Sequence, residues 1–314
     1  MGADGILLDN HGALGCRLMV RGPEADLEVP AFAARLGVPG LVDIHTHFMP
    51  GNVLDKVWAF FDQVPGGWSV QYRYDEDERV RRLEAMAVRA FTSLCYPHKP
   101  GMAAWLNAWC AAFASRVPGC VPSATFFAEP SADRDVAEAL DGGARVFKAH
   151  VEVGGYDPRD ARLEPVWARL ASAGVPVVVH VGSGPRPGRW TGPAVFAEVL
   201  ARHPDLVAVI AHMGGPEYEA FWRLALAYEH VHLDTTMTFT TFMDERLASP
   251  YPAHLLDELA EHPDRVVLGS DYPNVPHSYA HQVERLAALG LGAQWLRAVC
   301  HDNGARLLGL DPPA

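Results

Sequence analysis

Two histidines spaced two residues apart are the first feature of this chain that could do chemistry. They lie in GLVDIHTHFMP at 40–50, where His45 and His47 follow an apolar run. Two residues is the repeat of a β-strand, so both imidazoles would project from the same side of one strand. They could share a metal ion, or they could be ordinary polar residues at the end of a strand. The rest of the sequence has to decide between these interpretations.

Other ligand-type side chains occupy the same place on later predicted strands. Their positions are Lys148 and His150 in RVFKAHV, His180 in PVVVHV, His212 in LVAVIAH and Asp271 in RVVLGSD. In a parallel barrel the carboxyl ends of all strands meet on one face. We therefore expect these side chains to lie near one another. By contrast, His203 and His262 each precede a proline after a helix, and we interpret both as structural.

This combination of residues favours a divalent metal. Neutral imidazoles and one carboxylate suit Zn²⁺ with a position left open for water. Such an ion lowers the pKa of bound water to about 7, from ~15.7 in bulk. Asp271 is placed both to bind the metal and to accept a proton from that water. His212 could orient the water or stabilise negative charge that develops on a substrate oxygen.

Eight short β-rich segments alternate with amphipathic helical segments, which predicts an α/β fold, specifically a (β/α)₈ TIM barrel. The alternative, an open doubly wound sheet, expects a glycine-rich turn after the first strand, and HTHFMP is not one. The predicted strands are 41–47, 89–95, 121–127, 145–151, 176–181, 206–212, 230–235 and 265–271.

Two segments extend this minimal barrel. Residues 1–38 precede the first strand, and we predict an irregular segment with short strands there, followed by the barrel over 39–314. Residues 48–88 form a long first connection with a charged helix, and we predict that they are an insertion or lid. Trp68 and Tyr72 lie in its aromatic-rich part, where they would either form a lid or pack on the barrel rim.

The composition excludes several classes of protein. Acidic residues outnumber basic ones, 38 to 26, giving a net charge of −12 without any basic run, which argues against a nucleic-acid partner. No apolar stretch is long enough to span a membrane, and the N-terminus lacks the pattern of a signal peptide. Five scattered cysteines contain no C-x-x-C pair. We expect a reduced, cytoplasmic protein without a disulfide framework.

Several short motifs resemble those of the amidohydrolase superfamily. They are DIHTHFMP at 43–50, VVVHVG at 177–182, VIAHMGG at 209–215, LGSDYP at 268–273 and HDNGARLLGL at 301–310. Their order is similar to that of the amidohydrolase-related branch, which includes aminocarboxymuconate semialdehyde decarboxylase. The resemblance implies a distorted (β/α)₈ barrel with metal ligands at His45, His47, His180 and Asp271, and a catalytic helper at His212. It gives Asn303 and Arg306 a structural role. Zinc is the expected ion, and Mn²⁺ or Fe²⁺ would also suit the ligands.

Lys148 raises the question of a second metal ion. Members of the superfamily with two metals often carry a carboxylated lysine on the fourth strand, and VFKAHV places a lysine at about that position. The branch resembled here does not need it, so we predict one ion. Lys148 would then be a charged pocket residue or a partner for a buried carboxylate, and it needs some partner because an unpaired buried ammonium is unfavourable. We interpret His150 as a rim histidine bonded to the backbone.

Loop residues suggest the kind of substrate. Arg186, Arg189 and Trp190 follow the fifth strand, and Lys99 follows the second. These cations would suit a carboxylate-bearing substrate, and the indole could stack on a ring. The alternative is that they are solvated loop charges with an anchoring aromatic.

Taken together, the sequence predicts a metal-dependent hydrolase that uses an activated water on a small organic, carboxylate-bearing or cyclic molecule. A non-oxidative decarboxylase, which is a lyase, is the first alternative, since both chemistries use the same ligands. A catalytically silent binding protein is a third interpretation, which the complete ligand set disfavours. The expected partner is a small molecule, with no nucleic acid and no membrane, and the sequence leaves a homodimer open.

Overall fold

A computed structural model describes residues 20–64 and 68–310, and these form alternating strands and helices. The strands are β1 Leu41–Asp43, β2 Val88–Thr92, β3 Cys120–Val121, β4 Ser123–Thr125, β5 Val146–His150, β6 Val177–His180, β7 Ala208–Ile210, β8 Val231–Asp234 and β9 Val266–Val267. The helices are α1 Val29–Arg35, α2 Gly51–Phe61, α3 Glu76–Ala85, α4 Ala103–Arg116, α5 Ala132–Asp141, α6 Val151–Gly154, α7 Glu164–Ala173, α8 Pro193–Arg202, α9 Tyr218–Ala227, α10 Leu256–Glu261, α11 Tyr279–Ala288, α12 Ala293–Arg297 and α13 Asn303–Leu307. Short 3₁₀ turns at Asp26–Glu28, Ala211–Gly214, Ala253–Leu255 and Pro263–Arg265 and π turns at Phe242–Arg246 and Ala298–Asp302 complete the described elements.

All strand pairs are parallel and follow chain order, which confirms the predicted distorted (β/α)₈ barrel. The pairing gives one sheet of β1 to β3 and another of β4 to β9. The predicted strand 121–127 is divided into β3 and β4 at Pro122, which has no N–H to donate. No ladder joins β9 to β1 within the described residues. Instead, the Ile44 N–H donates to Leu268 O at 2.9 Å and the Asp271 N–H donates to His45 O at 2.9 Å.

The alternation of side chains along the strands separates an apolar layer from the site. On β5, β6 and β7, Phe147, Val177 and Ile210 belong to the cluster that includes the buried helix residues. Their neighbours Val146, Val178 and Val209 form a second cluster with Leu308 near the C-terminus. Lys148 and His150 have the parity of Val146, and His180 has the parity of Val178. Therefore the face that is apolar at the start of each strand becomes polar at its end.

Most of the predicted site residues lie beyond the strands rather than within them. The strands β1, β7 and β9 end at Asp43, Ile210 and Val267, so His45, His47, His212 and Asp271 all come from the connections that follow. The predicted strands 41–47, 206–212 and 265–271 are therefore too long at their carboxyl ends. A loop backbone is freer to turn than a strand, and this allows the side chains to converge more closely than strict alternation would.

The N-terminal segment differs from the prediction of short strands. Residues 1–19 lie outside the described residues, but Asp26–Glu28 form a 3₁₀ turn and Val29–Arg35 a helix. Pro30 stands in the first turn of that helix, where its missing N–H is not needed, and Phe32 is fully buried. The short-strand prediction is therefore wrong for 26–35. Among the described helices, none combines the length and the apolar character that a membrane crossing requires.

The first connection, 48–88, packs onto the barrel. Trp68 Nε1 donates to Asn274 O at 2.7 Å, and the Tyr72 hydroxyl donates to Asp26 at 2.6 Å and accepts the Tyr279 N–H at 2.6 Å. Both side chains are buried. Of the two interpretations of these aromatics, the contacts match packing on the rim, beside the loop that follows β9. Residues 65–67 lie outside the described residues.

Candidate metal centre

Three side chains from opposite ends of the sequence converge at the carboxyl ends of the strands. His45 Nε2, His47 Nε2 and Asp271 Oδ1 lie within 4.8 Å of one another, and all three residues are buried. The two Nε2 atoms are 3.2 Å apart, and Asp271 Oδ1 is 2.8 Å from His47 Nε2 and 3.6 Å from His45 Nε2. We call this group the three-ligand cluster. It is the only such group among the residues that the structure describes.

Hydrogen bonds on the far side of both imidazoles set their tautomers. His47 Nδ1 lies 2.7 Å from Leu94 O, and His45 Nδ1 lies 2.8 Å from Asp234 Oδ2. Carbonyl and ionised carboxylate oxygens only accept, so each Nδ1 carries the hydrogen and each Nε2 presents a lone pair. Three acceptor atoms this close repel one another unless they share positive charge. The donor set therefore fits a divalent cation bound by two histidines and a carboxylate.

The position of Asp271 is held by its backbone. Its φ of 71° is in the left-handed region, which costs an ordinary residue about 1–3 kcal/mol. The loop around it is tied down, since its N–H donates to His45 O at 2.9 Å and its carbonyl accepts the Asn274 N–H at 2.8 Å. Burial acts to raise the pKa of the carboxyl, but the imidazoles of His47, His212 and His45, when protonated, outweigh it and hold the pKa well below its usual range.

Lys148 is in direct contact with the three-ligand cluster. Its Nζ lies 2.9 Å from His45 Nε2, and the side chain is fully buried. Burial lowers the pKa of Lys148 to about 8, against the opposing attraction of Asp234 and Asp271. Asp234 and Asp271 attract the ammonium, but neither forms an ion pair with it within 4.0 Å in the described part of the chain. This contact is compatible both with a pocket cation and with a group modified to bind a second ion.

His180, the predicted fourth ligand, lies beside the cluster. Its Nε2 is 3.0 Å from Gly184 O, and its ring centroid is 4.1 Å from that of His150 and 4.7 Å from that of His212. Because the carbonyl accepts, His180 Nδ1 is the nitrogen that retains a lone pair. His180 is not one of the three side chains within 4.8 Å, so its role as a ligand stays a prediction.

His212 reaches the site from an unusual backbone. His212 and Met213 have φ values of 56° and 53°, both in the left-handed region. The ring centroid lies 5.3 Å from that of His45, and Nδ1 lies 3.1 Å from Thr236 O. Nδ1 therefore carries the hydrogen, and Nε2 is an acceptor in the neutral ring. Burial lowers the pKa of His212, although Asp271 and Asp234 oppose the shift.

Two residues of the site were missed in the sequence. Asp234 ends β8 and contacts His45. Tyr96 follows β2 and packs edge-on to the His47 ring, with centroids 5.5 Å apart, and against His150 at 4.9 Å. A signal for Asp234 was present, since VHLD is another apolar run that ends in a carboxylate. Nothing in the spacing around Tyr96 separated it from an ordinary aromatic.

The remaining predicted residues are peripheral to the cluster. His150 is the N-cap of α6 and accepts the Val153 N–H at 3.3 Å, the backbone bond expected of a rim histidine. Lys99, Arg186 and Arg189 are exposed. The guanidinium carbons of the two arginines lie over the rings of Phe60 and Trp190, at 5.0 and 4.5 Å. No contact in the described structure joins these loop cations or Trp190 to the three-ligand cluster.

The fold and the site define a (β/α)₈-barrel protein with a candidate metal centre at the carboxyl ends of its strands. Residues 42–310 match the family model described as Amidohydrolase, so the chain belongs to the amidohydrolase family, an enzyme family. This confirms the resemblance seen in the sequence. No curated protein matches the chain in sequence.

Solved structures with the same fold carry different activities. An uncharacterized TIM-barrel protein of Bordetella bronchiseptica aligns with a TM-score of 0.68 and 21% identity, over 86% of this chain and 99% of that one. A 5-carboxyvanillate decarboxylase of Sphingomonas paucimobilis aligns at 0.61 and 15%, over 87% and 100%. A probable 2-pyrone-4,6-dicarboxylic acid hydrolase of Acinetobacter baumannii, with citric acid bound, aligns at 0.59 and 11%, over 86% and 100%. At these identities the likeness concerns the fold.

Proposed function

We propose that this protein is a metal-dependent hydrolase of a small organic molecule. The observation that carries the proposal is the convergence of two imidazole lone pairs and one carboxylate within 4.8 Å in a buried site. His45, His47 and Asp271 would hold the ion, with His180 as the proposed fourth ligand. Zinc suits these donors best, with manganese or iron as alternatives. A bound divalent ion would lower the pKa of water and polarise a substrate carbonyl.

The chain's own residues supply the proton transfers. Asp271 would accept a proton at its carboxylate. His212 presents Nε2 as an acceptor, because Thr236 O engages its Nδ1–H. In the neutral ring this atom orients a water molecule by accepting its hydrogen bond. It cannot donate to a substrate oxygen until it has been protonated. Of the two roles that the sequence allowed for His212, we therefore favour orienting water.

These two acceptors favour hydrolysis over the alternative. Activating water needs groups that remove a proton, and Asp271 and His212 are both of that kind. A non-oxidative decarboxylase needs a group that delivers a proton to carbon. The likeness in fold to a 5-carboxyvanillate decarboxylase keeps this lyase as the second candidate. Lys148 would then be the natural proton source in the buried site.

For the substrate we propose a carboxylate-bearing or cyclic molecule. Lys99, Arg186 and Arg189 supply cations on loops that follow β2 and β6, and Trp190 supplies an aromatic surface. These groups would act at the entrance, since His180 and His212 lie next to the three-ligand cluster. We propose no membrane partner, and no nucleic-acid partner on the basis of the acidic net charge of −12. We propose a cytoplasmic location because the five scattered cysteines contain no C-x-x-C pair.

The test separates the two chemistries directly. Purified protein loaded with Zn²⁺ or Mn²⁺ is offered a panel of lactones, amides, esters and hydroxybenzoate-type acids. Acid release and CO₂ release are recorded in parallel, in water enriched in ¹⁸O. A hydrolase incorporates one ¹⁸O atom into the product acid and releases no CO₂. Release of CO₂ without ¹⁸O in the organic product would replace the hydrolase by the lyase.

A further inference from the structure

A single buried carboxylate, Asp234, contacts both His45 of the three-ligand cluster and the backbone of His212. It ends β8 and has no exposed surface. Its Oδ2 accepts from His45 Nδ1 at 2.8 Å, while its Oδ1 accepts the His212 N–H at 2.9 Å and the Thr236 N–H at 3.1 Å. Both oxygens thus accept hydrogen bonds from the protein itself.

The bond from Oδ2 decides which nitrogen of His45 can bind a cation. An acceptor on Nδ1 keeps the hydrogen there and leaves the lone pair on Nε2. The contact with Lys148 agrees with this assignment, because Lys148 Nζ, a donor, lies 2.9 Å from His45 Nε2. Without an acceptor at Nδ1, the two tautomers of a neutral imidazole would compete, and one of them cannot bind a metal through Nε2.

The bonds to Oδ1 hold the strained turn that carries His212. Left-handed backbone at two successive non-glycine residues costs about 1–3 kcal/mol each, and it persists only where other contacts enforce it. Asp234 accepts the N–H of His212 itself. It also anchors Thr236, whose carbonyl lies 3.1 Å from His212 Nδ1. The same carboxyl group therefore constrains the backbone of His212 directly and its ring indirectly.

Gly269 leaves the space in which this arrangement fits. A Cβ at that position would collide with Thr236 Oγ1 and lie 2.8 Å from His45 Cβ, closer than Cβ atoms approach in folded proteins, and it would lie 3.2 Å from Asp234 Cγ, which is tighter than most such contacts. Its backbone does not require glycine for its dihedral angles, since Gly269 is absent from the positive-φ residues of the described chain. The glycine thus provides room for the contact between His45 and Asp234.

We propose that Asp234 is the positioning residue of this centre, holding His45 in its metal-binding tautomer and His212 in its strained turn. The inference rests on the proposed metal centre and assigns no substrate. It predicts that Asp234 Oδ2 fixes the tautomer of His45 and that Oδ1 fixes the turn at His212. A single substitution should therefore affect one of these contacts and leave the other in place.

Asp234→Asn is that substitution. An amide has one acceptor oxygen, and the two backbone N–H groups that donate to Oδ1 would keep that oxygen on their side. The amide nitrogen would then face His45 Nδ1 and donate to it, which moves the ring hydrogen to Nε2. We expect the Kd for Zn²⁺, measured by competition with a chromophoric chelator, to rise 10- to 100-fold, the usual effect of losing such a partner. The urea midpoint of the metal-free variant should stay close to that of the wild type.

The matched control is Asp135→Asn, which makes the same chemical change in a buried aspartate on α5, outside the barrel interior. It should leave the Kd for Zn²⁺ unchanged. Asp234→Asn binding Zn²⁺ within twofold of the wild type would overturn the proposal. A wild-type protein that binds no divalent ion would instead overturn the metal centre itself, and the inference with it.

A second measurement needs no variant at position 234. In metal-free protein labelled with ¹⁵N-histidine, the His45 signals are assigned by their loss in His45→Gln, and their chemical shifts report the tautomer. We expect Nδ1–H for His45 in the wild type at neutral pH. A ring that carries its hydrogen on Nε2 would overturn the proposal, whether or not the Asp234 variant folds.

Discussion

Replacing Asp271 by asparagine tests the chemistry of the site with little change in shape. Asparagine matches aspartate in volume and tolerates the left-handed φ of 71° better than most non-glycine residues. The backbone bonds to His45 O and from Asn274 would remain. What is lost is a carboxylate that lies 2.8 Å from His47 Nε2 and can accept a proton.

The magnitude follows from the role proposed for Asp271. A positioned general base contributes about 10²–10⁴ in rate, which is about 2.7–5.5 kcal/mol at ~1.36 kcal/mol per factor of ten. We expect kcat to fall by that factor on any substrate that the panel identifies. The assay is run at a metal concentration shown by titration to saturate each protein, so that weaker metal binding does not account for the loss.

A urea midpoint near that of the wild type would show that the variant is folded, and Asp135→Asn again serves as the matched control. The reasoning is refuted if the metal-saturated Asp271→Asn protein keeps kcat within threefold of the wild type. In that case another group accepts the proton, and Asp271 is at most a ligand.

Three further predictions concern the metal, pH and packing. Elemental analysis should find one divalent ion per chain in the wild type and in Lys148→Met; two ions in the wild type and one in the variant would show that the lysine bridges a pair. Burial lowers the pKa of His232 to about 4, so the unfolded state takes up a proton that the folded state refuses as pH falls from about 6.5 to 4. The free energy of unfolding should therefore decrease over that range, by up to about 1.4 kcal/mol per pH unit for this group. His232→Gln can still donate to Asp264 O, so it should reduce the pH dependence of the free energy of unfolding, measured by urea denaturation, over the same range. An unchanged pH dependence in this variant would contradict the assignment. Gly269→Ala should destabilise the fold by about 1–3 kcal/mol through overpacking against His45, as measured by thermal melts. An unaltered melting temperature would show that the site accommodates the added methyl group.

Much of this molecule could be predicted from its sequence because periodicity and chain order determine it. Apolar runs such as VVVHV and VAVIAH mark buried strands, and the helical segments between them place successive strands side by side. Once the chain is a barrel, residues at the carboxyl ends of strands must meet. This is why His45, His47 and Asp271 could be brought together in advance, although 224 positions separate the last two (271 − 47).

What the tertiary structure decided is the set of contacts that depend on register and rotamer. Asp234 and His45 are 189 positions apart, and only the folded structure brings their side chains within hydrogen-bonding distance. The contact of Lys148 Nζ with His45 Nε2, the turning of His180 toward Gly184 O, and the packing of Trp68 on the rim are of the same kind. A hydrogen bond is made or lost within a few tenths of an ångström. A hydrophobic pattern indicates which side of a strand or helix a residue faces, but it does not give the distance from its polar atoms to their partners. The sequence alone thus indicated the three side chains of the cluster, and the fold determined which other residues contact them and through which atoms.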